Sequence, residues 1–318
     1  MRAIVAGGAG FIGSHLCRAL LARGDSVLCI DNFLTGRRTN ISALLPHPGF
    51  RLLVHDIIEP LPALEPPDAI FHLASPASPP GYDRHPIETL RVNAEGTHAL
   101  LELAASAGAS LLYASTSEVY GDPLEHPQRE DYRGNVSSIG PRSMYDEGKR
   151  FGEAITMAYV RSRGVDGRIV RIFNTYGPHS DPFDGRFVPN FIVEALGQQP
   201  LTIYGEGTQT RSLCYVSDLV RGLIAALDSD EARGEVINLG NPEEHTILEF
   251  ANLIRELTGS GSELCFTAPA VGDDPQRRRP DIGKATRLLG WEPAIGLEDG
   301  LKLTIEYFRR EIASLMPA

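Results

Sequence analysis

The sequence is poor in cysteine, and its cysteines have no arrangement that suggests a structural task. Four occur in 318 residues, Cys17, Cys29, Cys214 and Cys265, and no two are spaced as Cys-x-x-Cys. This scarcity argues against a disulfide scaffold and against a zinc site. We expect all four thiols to be small buried residues, we predict no metal, and we take a reducing, cytoplasmic compartment as the default.

Long hydrophobic runs are also missing. No stretch reaches the length of about 20 apolar residues that a membrane-spanning helix needs. The apolar start, residues 1–7, is too short for a signal peptide and leads straight into a glycine-rich loop. We therefore expect no membrane partner.

Basic residues are outnumbered by acidic ones. Lys and Arg total 30 against 41 Asp and Glu, which gives a formal net charge of -11. A general binder of nucleic acid or of anionic membranes carries the opposite sign, so neither is expected as a partner. An anionic small substrate stays compatible with this charge, because a few local arginines can outweigh the global sign.

A strand, a glycine loop, a helix and a second strand open the chain. The loop Gly7-Gly8-Ala9-Gly10-Phe11-Ile12-Gly13 lies between a strand (3–6) and a helix (14–22), and the next strand (26–30) ends at Asp31. Such a loop lets a pyrophosphate approach the backbone at the helix N-terminus. Asp31 is at the right distance to bond an adenosine ribose, and its charge favours NAD over NADP, although Arg37 and Arg38 lie nearby.

Strands and helices continue to alternate up to about residue 175, which predicts an α/β fold with a doubly wound parallel sheet of the Rossmann type. We assign residues 1–178 to the NAD-binding domain and residues 179–318 mainly to a smaller C-terminal α/β domain for the substrate. The strands predicted at 214–216 and 236–239 are expected to return to the main sheet, so 213–240 belongs with the first domain.

The rest of the chain is organised around the stretch 115–149. It follows a short apolar run (110–114) that reads as a buried parallel strand. Thr116 and Glu118 are therefore expected just past the carboxyl end of a strand, where open α/β sheets bind their ligands.

Tyr145 and Lys149, at the end of that stretch, are four residues apart. They share one face of a helix predicted at 143–163. An adjacent ammonium group is expected to lower the pKa of the tyrosine, which could then take a proton from a sugar hydroxyl near neutral pH. Beside a nicotinamide, the pair implies hydride transfer. A surface Tyr and Lys on an ordinary helix is the alternative.

Arginines in the C-terminal third imply an anionic substrate. Arg186, Arg211 and Arg278 lie there, and guanidinium groups suit diphosphate and carboxylate groups. A single arginine is more often a solvated surface charge, but Pro280 directly after the run 277–279 suggests a fixed turn.

Several stretches are longer and more specific than the glycine loop. They resemble the extended short-chain dehydrogenase/reductase superfamily over nearly the full length and, within it, the UDP-glucuronate decarboxylases. The stretches that carry the resemblance are 31–33 with 35–36, 73–80, 115–122, 145–150, 172–175, 240–246 and 273–276.

The resemblance implies two ligands, NAD and UDP-glucuronate, and residues for each. The residues implied for NAD are Gly7, Gly10, Phe11, Ile12, Gly13, Asp31, Asn32, Phe33, Thr35, Gly36, Asp56, Ile57, Leu73, Ser75, Ser115, Tyr145 and Lys149. Those implied for the substrate are Asn174, Arg186, Tyr204, Arg211 and Arg278.

The resemblance also implies the chemistry, with Thr116, Glu118, Tyr145, Lys149 and Arg278 as catalytic residues. Tyr145, with its pKa lowered by Lys149, would remove the proton of the sugar 4-hydroxyl during oxidation at C4, and Thr116 would bond the 4-oxygen. The resulting β-keto acid would lose carbon dioxide. Glu118 and Arg278 would flank the carboxylate, one of them or a water that they hold would protonate C5, and reduction at C4 would give UDP-xylose.

Residues 117 and 118 separate the nearest alternatives. The 4,6-dehydratases resemble this chain but carry an acidic Asp at the place of Ser117, and related epimerases typically lack a glutamate at Glu118. A 4-epimerase, a 4,6-dehydratase and a decarboxylase that releases UDP-4-keto-pentose stay open. From another class, a non-catalytic dinucleotide sensor is disfavoured because the Tyr/Lys pair is present.

Two further expectations follow from the resemblance. It implies a homodimer whose four-helix bundle is built from the helices at about 86–107 and 143–163. One departure is Ser143-Met144 before Tyr145, where related proteins often have Ala-Cys, and we expect it to alter packing rather than chemistry.

Overall fold

The computed structural model describes residues 1–268 and 277–315, with side chains as far as residue 313. Seven of the described strands form one parallel sheet in the order β11-β6-β5-β4-β1-β2-β3. These strands are β1 (Arg2–Ala6), β2 (Ser26–Asp31), β3 (Phe50–Val54), β4 (Ala69–His72), β5 (Ser110–Thr116), β6 (Gly167–Ile172) and β11 (Val236–Leu239). The predicted doubly wound sheet is confirmed.

Short apolar segments form this sheet because helices cover both of its faces. All four residues of β4 are buried, as are six of the seven of β5. The described helices are α1 (Phe11–Ala22), α2 (Arg38–Ile41), α3 (Pro79–Arg84), α4 (Pro86–Arg91), α5 (Thr97–Ala107), α6 (Ser143–Arg163), α7 (Phe187–Leu196), α8 (Val216–Asp228), α9 (Ile247–Thr258), α10 (Gly283–Leu289) and α11 (Leu297–Leu315). A π-helical turn, Val92–Gly96, joins α4 to α5, so the predicted helix over 86–107 is continuous.

The strand order reverses between β1 and β4, and this creates a crevice at the carboxyl ends of the strands. The glycine loop leaves β1 on one side of the crevice, and the segment after β4 borders it on the other. The two backbones are so close that a Cβ on Gly7 would lie 2.7 Å from the backbone nitrogen of Ala74. A larger residue at position 7 would therefore push the two walls apart.

The later strands form small sheets beside the large one. The strands are β7 (Thr175–Tyr176), β8 (Leu201–Tyr204), β9 (Thr210–Ser212), β10 (Cys214–Tyr215), β12 (Glu244–Thr246), β13 (Leu264–Thr267) and β14 (Arg277–Arg278). β9 lies between β12 and β14, β13 pairs with β8, and β10 pairs with β7. Helices α7, α9 and α11 pack on one another next to these strands.

Two expectations from the sequence need correction. β11 rejoins the main sheet as predicted, but β10 does not, because it pairs in parallel with β7. Cys265 is exposed on β13, whereas Cys17, Cys29 and Cys214 are buried as expected. The motif at 273–276 lies outside the described residues.

Within the described part of the chain, every helix is either too short or too polar to cross a bilayer.

Candidate active site

The glycine loop and the start of α1 build a cradle of bare backbone. Gly10 is the N-cap of α1, and Phe11 and Ile12 form its first turn. A Cβ on Gly13 would lie 2.1 Å from the carbonyl oxygen of Gly7, so only glycine allows the helix to pack so close to the loop. A Cβ on Gly10 would meet only that same oxygen, at 3.2 Å, which leaves its other side open for a ligand. Backbone N–H groups at a helix start favour a pyrophosphate.

Asp31 closes β2 at the edge of the same crevice. Its carboxylate accepts hydrogen bonds from the backbone N–H groups of Ala9 and Phe33, both at 2.8 Å. Burial raises the pKa of Asp31, and these two hydrogen bonds oppose that rise. A Cβ on Gly36 would lie 2.6 Å from one of its oxygens, so the glycine leaves space around the carboxylate. The side chain that would bond a ribose is thus fixed by the loop that would bind the pyrophosphate.

Arg37 is engaged elsewhere. Its guanidinium group forms an ion pair with Glu311 of α11. Arg38 lies over the ring of Phe33, with 5.4 Å from its Cζ atom to the ring centroid. The doubt that these two arginines raised about NAD is therefore smaller, since the Glu311 carboxylate already neutralises one of them.

One cleft collects most of the residues predicted for the cofactor. Asp56 belongs to this set and accepts a hydrogen bond from the amide of Asn32 at 2.9 Å. The predicted residues that line the cleft are Gly7, Gly10, Asp31, Asn32, Thr35, Gly36, Asp56, Ile57, Leu73 and Ser75. Ser115 is placed differently, because its hydroxyl donates to Glu153 at 2.6 Å. Its contact with the cofactor stays a prediction.

The tyrosine, lysine and threonine come together at the end of β5. Thr116 is the last residue of β5, and Tyr145 and Lys149 lie one turn apart on α6, which packs against that strand. The hydroxyl groups of Thr116 and Tyr145 share a hydrogen bond. The Lys149 ammonium donates to the carbonyl oxygen of Ala114 at 2.8 Å. All three side chains are buried.

The expected protonation of this pair is wrong for the structure described here. Burial raises the pKa of Tyr145 to about 12, although its hydrogen bond with Thr116 opposes the rise. Burial lowers the pKa of Lys149 to about 7. The prediction that Tyr145 and Lys149 share one face of a helix is correct. The cost of burying a phenolate or an ammonium group, however, outweighs the attraction between these two charges. Lys149 therefore loses its proton at a lower pH than Tyr145 does.

Glu118 is held between two guanidinium groups. Arg278 donates to both of its carboxylate oxygens, with 2.9 Å between Nη2 and Oε2. Arg142, at the start of α6, donates to Oε2 as well. Burial acts to raise the pKa of Glu118, but Arg278 and Arg142 outweigh it and hold that pKa below its ordinary value. Glu118 is consequently an anion at neutral pH, flanked by two guanidinium groups.

The small sheet β12-β9-β14 brings the C-terminal arginines to this cluster. Arg211 of β9 is the register partner of Arg278 of β14, and both are buried. Arg211 also lowers the pKa of Glu118 through space. Two arginines predicted for the substrate are thereby adjacent, although they are 67 positions apart in the sequence.

The other predicted substrate residues are less concentrated. Arg186 donates to the carbonyl oxygen of Ala77 at 2.7 Å, and its charge opposes the raised pKa of Tyr145. Asn174 follows β6, where its carbonyl oxygen accepts from Cys214. Tyr204 ends β8 and is 45% exposed. Their contacts with a substrate stay predictions.

Three residues of the site were missed from the sequence. Arg142 lies three positions before Tyr145, and that proximity was the one available signal. Tyr82 of α3 stacks on Tyr145, with ring centroids 5.2 Å apart and ring planes at 15°. Asp146 is buried, and burial together with the Glu118 charge raises its pKa to about 7. No sequence pattern connects Tyr82 with the site.

A cradle for a dinucleotide beside a buried tyrosine–lysine pair defines an NAD-dependent enzyme of the short-chain dehydrogenase/reductase class. The model of the NAD dependent epimerase/dehydratase family matches residues 3–240, and the chain belongs to that family. Its cofactor is NAD.

Individual proteins of known name are similar to this chain over nearly its full length. The chain is 54% identical to "UDP-glucuronic acid decarboxylase 1" of Xenopus tropicalis over 98% of this chain and 73% of the relative. It is 50% identical to "UDP-glucuronic acid decarboxylase 1" of Arabidopsis thaliana over 98% of this chain and 71% of that relative. Among solved structures, UDP-glucuronic acid 4-epimerase from Bacillus cereus, in complex with UDP-glucuronic acid and NAD, superposes with a TM-score of 0.87 at 31% identity, covering 98% of this chain and 100% of the epimerase.

Proposed function

We propose that this protein is an NAD-dependent decarboxylase that converts UDP-glucuronate into UDP-xylose and carbon dioxide. The observation that carries the proposal is the Glu118 carboxylate held by Arg278 and Arg142 beside the hydrogen-bonded Thr116 and Tyr145. The excess of guanidinium groups over Glu118 next to the base fits a sugar that carries a carboxylate. The identity of about half with decarboxylases from a vertebrate and a plant supports the same reaction.

The first step is oxidation at C4 of the sugar. Bound NAD would supply the acceptor for the C4 hydride and its donor in the last step, so that no net redox change would occur. Tyr145 takes the proton of the 4-hydroxyl, and Thr116 bonds the same oxygen. Because the pair loses its first proton from Lys149 near pH 7, the neutral amine can take up the Tyr145 proton as Tyr145 accepts that of the 4-hydroxyl.

The second step is loss of the carboxylate from a β-keto acid. The electron pair of the C5–C6 bond moves into the C4 ketone, where Thr116 and Tyr145 stabilise the oxygen. Arg278 orients the leaving carboxylate. Glu118 is ionised and has no proton of its own to give, so it orients a water molecule that supplies the proton to C5, and a proton from solvent neutralises the hydroxide that remains.

The placement of the nucleotide follows from the positions of Arg186 and Arg211. We assign the NAD site to residues 1–178 with 213–240, and the UDP site mainly to 179–318. The charge of Arg186 acts on Tyr145 and that of Arg211 acts on Glu118, and both arginines would bind the diphosphate. Asn174 and Tyr204 would hold the remainder of the UDP group.

Exposed apolar side chains on two packed helices bear on the assembly of the protein. Ile87 and Leu90 of α4 and Phe151 of α6 are exposed apolar side chains on two helices that pack together. A second copy would bury them in a four-helix bundle with α5, which makes a homodimer. Leu90→Asp should then convert a dimer into monomers in sedimentation analysis, and a wild-type monomer would refute this assembly. A cytoplasmic location stays a prediction from cysteine usage, to be tested by cell fractionation.

The experiment for the reaction is a comparison of wild type with Tyr145→Phe. Wild type should release carbon dioxide from UDP-glucuronate with catalytic NAD. Tyr145→Phe should lose most of this turnover, on the order of a hundredfold or more, since the general base is gone. NAD binding, measured by calorimetry, should survive in the variant. Full activity of Tyr145→Phe would end the proposal.

A further inference from the structure

Lys149 is a cation in a place where a cation is costly. Its side chain is 3% exposed, and burial lowers its pKa to about 7. The carbonyl oxygen of Ala114, at 2.8 Å, is one group that stabilises the ammonium form. A single neutral acceptor compensates little of the cost of burying a charge, so the aromatic surroundings of Nζ become important.

Tyr113 supplies the nearest aromatic face. The Lys149 Nζ atom lies 5.1 Å from the centroid of the Tyr113 ring and 5.9 Å from that of Tyr145. Tyr113 belongs to β5 and is completely buried. A cation over an aromatic ring is attracted by the negative face of the ring, and the attraction is strongest away from water.

The hydroxyl of Tyr113 is fixed as well. It donates to the side-chain oxygen of Asn93 at 3.0 Å, in the π-helical turn. The Asn93 amide in turn donates to Ser75 at 2.9 Å and to the Thr89 carbonyl oxygen at 2.8 Å. Ser75 lines the cofactor cleft. A chain of hydrogen bonds therefore runs from the ring under Lys149 to the place where NAD binds.

Gly152 is matched to this tyrosine. A Cβ at position 152 would lie 2.1 Å from the Tyr113 hydroxyl oxygen and 2.2 Å from its Cζ atom. No other residue fits there while Tyr113 keeps its position. A glycine in the interior of α6 lowers helix stability, and here it makes room for the ring.

We propose that Tyr113 is a positioning residue that holds the Lys149 ammonium over its ring and links it, through Asn93, to the cofactor cleft. The proposal rests on the proposed function, which makes Lys149 part of the catalytic pair. Tyr113 has a different role from Thr116 and Tyr145, whose hydroxyl groups would contact the substrate.

The other charged and titratable groups around Lys149 do not replace the ring. Glu153 on the same helix favours the ammonium form, but it is already paired with Arg171 of β6 at 2.8 Å. His72 of β4 contacts the Tyr113 ring edge-on at 5.3 Å, and burial lowers its pKa to about 3, so it is neutral. Tyr145, on the lysine's own helix, is uncharged at neutral pH because burial raises its pKa to about 12.

The test measures the protonation of Lys149 directly. The chain has only three lysines, Lys149, Lys284 and Lys302, so NMR of protein labelled with ¹³C at the lysine ε-carbon gives few signals. Lys149→Met assigns the signal of interest. Tyr113→Phe keeps the ring and is the control, whereas Tyr113→Leu with Gly152→Ala removes the ring and refills part of its space.

The expected result is a titration midpoint near 7 in wild type, the same midpoint in Tyr113→Phe, and a midpoint lower by roughly one pH unit in Tyr113→Leu/Gly152→Ala. An unchanged midpoint without the ring would overturn the proposal, as would an equal shift in Tyr113→Phe. If the double variant does not fold, Tyr113→Leu alone carries the same test.

A second readout is the affinity for NAD, measured by calorimetry against pH. Loss of the ring should weaken binding more above pH 7 than below it, because less ammonium survives there. Both readouts are independent of turnover. If the midpoint falls in Tyr113→Leu/Gly152→Ala but wild type does not decarboxylate UDP-glucuronate, the proposed function is refuted and the role of Tyr113 is kept. If wild type is active but the variant has the wild-type midpoint, the proposed function is kept and the role of Tyr113 is refuted.

Discussion

Arg278 and Glu118 are 160 residues apart in the sequence, yet Nη2 of the first lies 2.9 Å from Oε2 of the second. The pair joins the small sheet β12-β9-β14 to the turn after β5, next to Tyr145. It fixes the charge of Glu118 and places a guanidinium group where a substrate carboxylate would lie. The proposed decarboxylation depends on this relationship.

Substitution of Glu118 should separate the two chemical steps. Glu118→Gln keeps the shape but removes the charge that orients the water molecule for C5. We expect carbon dioxide release to fall by roughly a hundredfold, while oxidation at C4, followed as absorbance of reduced cofactor in a single turnover, falls much less. Ser117→Ala is the neighbouring control and should affect both steps little. An equal loss in both steps would show that Glu118 serves substrate binding instead.

Arg142 was not predicted as a site residue from the sequence. Its effect on the charge of Glu118 can be measured. Removal of one guanidinium group in Arg142→Gln should let the pKa of Glu118 rise toward its ordinary value or above it, because burial is then less opposed. A group with a depressed pKa gives its effect above that pKa, so decarboxylation should fail at a higher pH during acidification than in wild type. Arg142→Lys should restore part of the difference. Superimposable acid limbs in all three proteins would mean that Arg142 does not hold the charge of Glu118.

The dependence of C4 oxidation on pH follows from the Tyr145–Lys149 pair. Below about pH 7 the pair carries both protons, and Tyr145 cannot accept another. As the pH rises through that value one proton is lost, so the rate of C4 oxidation should rise and then level off. Stopped-flow absorbance of the reduced cofactor measures this rate.

A control is needed because Asp146 titrates in the same range. Asp146→Asn removes that carboxylate, and the rise near pH 7 should persist in the variant. A rate that decreases as the pH rises through 7 in both proteins would contradict the assignment of the pair as the base.

Cofactor selection should depend on Asp31. Asp31→Asn loses the negative charge that would bond the ribose and repel a 2′-phosphate, so affinity for NAD should fall by roughly tenfold or more. Affinity for NADP should fall less or rise. Asp68→Asn is a suitable control, since Asp68 accepts a backbone hydrogen bond from Arg2 at the opposite end of the sheet. Equal losses for both cofactors would show that Asp31 supports only the loop.

Much of the fold could be predicted from the sequence because short apolar segments alternate with helical periodicity. The glycine loop, Asp31 and the Tyr145–Lys149 spacing are local patterns, and local patterns report which residues share a crevice or a helix face. The segment 214–216 looked the same as a strand of the main sheet, but its pairing partner was set by tertiary contacts with β7. The sequence pattern of a strand does not indicate which strand it will pair with.

The electrostatics of the site could not be predicted in the same way. A spacing of four residues places Lys149 beside Tyr145, but the sign of each pKa shift depends on how deeply both are buried. Arg142 and Tyr82 join the site through the start of α6 and through α3, whose positions depend on packing. The pairing of Arg278 with Glu118 requires the register of β14 against β9, which no local pattern contains.

The most direct test of the account is to incubate the purified protein with UDP-glucuronate and catalytic NAD, and to follow carbon dioxide and the sugar by NMR. The proposed function predicts UDP-xylose and carbon dioxide in equal amounts, without accumulation of reduced cofactor. A 4-keto-pentose with stoichiometric reduced cofactor would keep the site and change the product. An intact carboxylate, or UDP-galacturonate from epimerisation at C4, would contradict the assignment of Glu118 and Arg278 to decarboxylation.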